Sequence, residues 1–82
     1  MEKELTTFVF DASQMDDYAR GLISGLMYLL TGRPSETTRW CHACDADFNA
    51  VWYKHLDCTV EQAMEIHDEI NKLFPGVLLE MS

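Results

Sequence analysis

Short runs of hydrophobic period two alternate in this chain with two long stretches of period three to four, and few folds accommodate that order. Thr6-Thr7-Phe8-Val9-Phe10-Asp11 is β-branched and aromatic, with Phe8 and Phe10 on one face, and reads as a strand, β1. Asp11 or Ser13, each with a polar partner three residues on, can then cap a helix α1 from about Ser13 to Thr31. Met15, Tyr18, Leu22, Leu26 and Leu29, flanked by Ala19, Ile23 and Leu30, predict its buried stripe. Gly21 and Gly25, four apart, suit close packing of this helix on a sheet.

Gly32-Arg33-Pro34-Ser35-Glu36-Thr37 ends α1, Gly supplying a left-handed cap and Pro forbidding continuation, and forms a polar loop. Arg39–Asp45 and Ala50–Leu56 are extended candidates β2 and β3 around Ala46-Asp47-Phe48-Asn49, a turn-forming quartet; Phe48, Val51, Trp52 and Leu56 also fit helical spacing. Thr59-Val60-Glu61-Gln62 is a capping box opening an amphipathic helix α2, with Ala63, Ile66, Ile70 and Leu73 or Phe74 buried. Pro75-Gly76 stops it, leaving Val77–Ser82 for a terminal strand β4. The order β-α-β-β-α-β predicts one α+β domain over residues 1–82, a ferredoxin-like four-stranded antiparallel sheet with both helices on one face. The other sheet face is left open.

If the hairpin turns on Asp47 and Phe48, that open face carries Trp40, His42, Cys44, Val51, Tyr53 and His55, while Cys41, Ala43, Ala50, Trp52 and Leu56 lie under the helices. Trp40 and Tyr53 are then candidate partner-binding residues, because exposed aromatic patches mark interaction surfaces.

Chemistry is sparser. Cys41-x-x-Cys44 with His55-x-x-Cys58 has the ligand types and number of a closed tetrahedral zinc site. Against it, strand residues three apart point to opposite faces, so neither pair converges without a break in its strand. Cys41–Cys44 and Trp52–Cys58 resemble, over a small part of the chain, the ligand runs of zinc-ribbon and PHD-type fingers, but the other ligand pairs of a PHD finger are absent and its function is not carried over; the four residues themselves leave a small zinc-binding interaction module as the alternative function. No nucleophile has a base and an oriented third group assembled around it, and no phosphate-cradling glycine loop or EF-hand pattern is present, so a non-enzyme without a cofactor is expected.

Charge supplies the functional expectation. Fourteen acids against six Lys and Arg leave a net charge of −8 on 82 residues, which disfavours nucleic acid and anionic membrane and favours a basic protein partner. Glu61, Glu65, Asp68 and Glu69 line the polar side of α2 against Lys72 alone, and Asp16 and Asp17 add charge at the start of α1. The apolar stretch Leu22–Leu30 falls far short of the roughly 20 residues that span a bilayer. The N-terminus lacks a signal-peptide pattern and three cysteines cannot all pair, which predicts a cytoplasmic protein. A chain this small buries only about 60% of its unfolded surface, so a homodimer would help stability.

In size, acidity, lack of catalytic motif and mixed α/β order, the chain resembles the small inhibitors encoded by phages and mobile elements, including anti-CRISPR proteins. The resemblance is one of overall character. It implies a host nucleic-acid-handling complex with a basic groove as partner, in the host cytoplasm; charge placement alone, not the resemblance, makes Glu61, Glu65, Asp68, Glu69, Asp16 and Asp17 the candidate contacts, by mimicry of nucleic-acid charge.

Overall fold

The computed structural model describes residues 2–32 and 39–82; the loop expected at 33–38 lies outside the described residues. Four strands, β1 Glu4–Asp11, β2 Trp40–Cys44, β3 Ala50–Cys58 and β4 Leu78–Met81, form one antiparallel sheet in the order β2-β3-β1-β4. With α1 at Asp17–Thr31 and α2 at Val60–Leu73, this is the ferredoxin-like α+β arrangement.

One sheet face carries Phe8 and Phe10 from β1 with Lys54, Leu56 and Cys58 from β3, all at 0–1% exposure. Ala19, Ile23 and Met27 of α1 and Ala63, Ile66 and Ile70 of α2 close over it as a single core. The start of α2 is tied to the end of α1 by Gln62 Nε2, which donates to the Leu30 carbonyl at 3.3 Å. The Thr59–Gln62 capping box is formed in both directions, and Gly32 takes the left-handed cap at φ 69°.

Three expectations are corrected. Helix α1 begins at Asp17, with Asp16 as its N-cap accepting from the Ala19 N–H at 2.8 Å. Asp11 instead organises a 3-10 turn at Ala12–Gln14, taking hydrogen bonds from Ser13 and Gln14 that hold its carboxyl below the usual range. Second, the buried stripe of α1 is turned about its axis. Ala19, Ile23 and Met27 are buried, whereas Tyr18 (72%), Leu22 (39%) and Leu29 (81%) are exposed. Gly21 and Gly25 face outward too, and a Cβ at either would meet nothing within 4 Å, so they do not serve packing on the sheet.

Third, the hairpin register differs by one residue. Trp40, His42 and Cys44 pair with Lys54, Trp52 and Ala50 across a five-residue loop, Asp45–Asn49. Asp45 Oδ1 closes that loop by accepting from the Asp47 and Asn49 N–H groups, both at 2.9 Å. Because side chains alternate with period two, a one-residue slip moves the whole of β2 to the other face.

Candidate functional site

The slip decides what the hairpin presents. Trp40, expected on the open face, lies on the helix side, its indole N–H donating to Ser24 Oγ on α1 at 2.8 Å. Its ring sits 5.2 Å from Phe10 and, edge-on, 6.3 Å from Trp52. His42 tilts against Trp52 at 4.6 Å, and the Arg20 guanidinium lies 4.2 Å over the same indole. The open face instead carries Cys41, Ala43, Val51, Tyr53 and His55 beside Thr7 and Val9. Of the residues expected there, Val51, Tyr53 and His55 are in place, and Trp40, His42 and Cys44 are not. His55 Nδ1 is 2.8 Å from Thr7 Oγ1, and a hydrogen bond between Tyr53 and Cys41 pushes the phenol pKa up.

Within the aromatic cage under α1 lies a residue that sequence reasoning passed over. Lys54 has no solvent exposure, its Nζ has no hydrogen-bond partner, and its ammonium stands 4.7 Å over the Trp40 ring. Loss of hydration lowers its pKa from 10.5 to about 8, opposed by the nearby Cys41 sulfur. The cation–π contact replaces part of the missing hydration. Lys54 lines neither of two surface clefts among the described residues. One, of about 710 Å3, is lined at the hairpin end by residues including Asp11, His42, Asp45 and Trp52; the other, about 220 Å3, lies between His67 and β4.

The four zinc-type residues are divided by the sheet. Cys41 and His55 stand on the open face; Cys44 is exposed on the helix side, and Cys58 is buried there with Sγ 3.5 Å from Thr6 Oγ1. Among the described residues, no three His, Cys, Asp or Glu side chains are grouped to hold a metal ion.

The acidic residues fall into two kinds. Glu61, Glu65 and Asp68 are exposed along one line of α2, separated along its axis by roughly 6 and 4.5 Å. Glu69 is half-buried and paired with Lys72 at 3.1 Å; Asp17 pairs with Arg20, and Asp16 is committed to its cap. Asp68 also reaches His67 Nδ1 at 3.2 Å, and Asn71 contacts the other ring nitrogen at 3.2 Å. Among the described residues, no helix is long and apolar enough to cross a membrane. Comparison of the chain with protein-family models, with curated proteins and with solved structures finds no match.

Proposed function

We propose that this protein acts without catalysis, by binding a protein partner whose basic groove normally holds nucleic acid, and so inhibits a host nucleic-acid-handling complex of the kind that anti-CRISPR or other anti-defence proteins target. One observation carries the reading: Glu61, Glu65 and Asp68 form an outward line of carboxylates, with Lys72 paired instead to Glu69, on a helix whose opposite side is locked into the core by Ala63, Ile66 and Ile70. A rigid row of charges reaches a cationic groove with little ordering cost, and opposite fields accelerate encounter. The net charge of −8 extends the same field over the molecule. Tyr53, on the open sheet face, is available to a partner that reaches round β3; Trp40 is withdrawn from that role by its place beneath α1.

The test is capture from extract of the native host on the immobilised chain and on its Glu61→Gln/Glu65→Gln/Asp68→Asn variant. Retention of a basic nucleic-acid-binding protein by the wild type, released by salt and by competing nucleic acid and lost in the variant, supports the reading. Equal retention by both proteins, insensitive to salt, rejects it.

A further inference from the structure

The loop Asp45–Asn49 between β2 and β3 carries a side chain that the fold does not use. Phe48 is 87% exposed, more than any other large apolar residue among the described residues, and its φ of 63° is the one positive value outside glycine there. Glycine or asparagine adopts that left-handed conformation with least strain; for a bulky residue it is an outlier. The conformation is imposed from Asp45. Its Oδ1 accepts from the Asp47 and Asn49 N–H groups, both at 2.9 Å, its N–H donates to the Asn49 carbonyl at 2.9 Å, and its carbonyl accepts from the Phe48 N–H at 3.0 Å. The ring therefore stands on a fixed base outside the core, and the rest of the hairpin bears the strain of holding it there.

We propose that Phe48 is an anchor for a protein partner, its ring entering an apolar pocket whose rim is cationic. Asp45 and Asp47 flank it, both exposed, and no Lys or Arg occurs from Trp40 to Tyr53, so the ring is presented within an anionic collar. That collar selects the occupant. Nucleic-acid phosphates and anionic lipid headgroups are repelled, two copies of the loop repel each other, and carboxylates beside the ring oppose its entry into a neutral bilayer. A pocket bordered by Lys or Arg suits both the ring and its neighbours. An aromatic side chain on a pre-ordered backbone loses little freedom when buried, and such residues dominate the energetics of protein interfaces. The inference rests on the proposed reading in that the partner is a basic protein, but the contact is made by the hairpin and not by α2.

The free protein supplies the first test. Phe48→Gly should raise the melting temperature by about 4 °C through relief of the left-handed strain, while Phe48→Ala should leave it nearly unchanged because the ring packs on nothing. The second is photo-cross-linking in extract of the native host, with p-benzoylphenylalanine in place of Ala46 on this loop or of Met64, exposed beside the α2 carboxylates, and the joined peptides identified by mass spectrometry. The probe on the loop is expected to join a basic protein at apolar residues bordered by Lys or Arg, and Phe48→Gly to reduce that adduct at least about tenfold. Adducts from Ala46 but not Met64 support the anchor and remove the role of α2; adducts from Met64 alone overturn the anchor and leave that role standing; adducts from neither overturn both. A loop adduct unchanged by Phe48→Gly, one formed only with a second copy, lipid or nucleic acid, or a marked loss of stability in Phe48→Ala also overturns the proposal.

Discussion

The two helices lie side by side on one sheet and bury matching inner stripes, Ala19-Ile23-Met27 on α1 and Ala63-Ile66-Ile70 on α2, yet their outer faces are opposites. Glu61, Glu65 and Asp68 make the outside of α2 anionic, whereas the outside of α1 is apolar and interrupted by glycines. Folding requires only the inner faces. The difference lies outside: exposed carboxylates on α2, and on α1 an apolar area that water covers poorly.

The comparison breaks first at its common term. Ile23→Ala and Ile66→Ala, both at 0% exposure, should each lose about 2–5 kcal/mol by urea denaturation. Widely unequal losses would show that the inner faces are not equivalent.

What lies beneath the helices gives the next largest effect. On the α1 side the core holds Lys54, whose pKa falls to about 8 on folding. Between that value and the ordinary lysine value, the unfolded chain holds a proton that the folded chain has released. This group's contribution to stability therefore rises with pH across the interval, and its full penalty is present below it. Lys54→Met should stabilise the protein near neutral pH by on the order of 2 kcal/mol, with an advantage that shrinks as pH climbs through the window. Thermal melts of both proteins across that range check the sign. A destabilised variant would mean that the Trp40 contact outweighs desolvation.

Outside the core the effects become smaller. Gly21→Ala and Gly25→Ala should each stabilise the dilute monomer by up to about 1 kcal/mol, because the helix gains and nothing is displaced. Glu61→Gln, Glu65→Gln and Asp68→Asn should each change it by no more than about 0.5 kcal/mol. Denaturation midpoints of the single variants distinguish the two faces: a gain on α1, near silence on α2.

The strand and helix order was legible because its punctuation is chemical. The Thr59–Gln62 capping box, Pro75-Gly76 and the Phe8/Phe10 alternation each specify a local conformation that tertiary packing accepted. The buried side of α1 was not legible, because its polar side is not its solvent side: Ser24 and Arg20 lie against Trp40 and Trp52, which leaves Tyr18, Leu22 and Leu29 outside and Ala19, Ile23 and Met27 inside. Nor was the face of β2, since a two-residue turn and the observed Asp45–Asn49 loop differ by one residue of register and invert every side chain on that strand. Phe48, at the tip of this loop, adopts a left-handed φ of 63° that its aromatic side chain does not signal. Lys54 was readable by strict alternation, standing between Trp52 and Leu56 on one face of β3, but its charge argues for solvent unless the aromatic cage is known. Of the acids, spacing alone located the exposed line Glu61, Glu65 and Asp68, while the engagement of Asp16, Asp17 and Glu69 depends on atoms that spacing does not reveal.

The steering role proposed for the outer face of α2 is tested most directly by the salt dependence of partner binding. Retention of the captured partner by the wild type and by Glu61→Gln/Glu65→Gln/Asp68→Asn should be followed at low and high salt. The expected result is that wild-type binding weakens as salt rises and that the neutralised variant binds weakly throughout. Equal retention by both proteins, insensitive to salt, would contradict it and show that the carboxylate line is only a solvated surface.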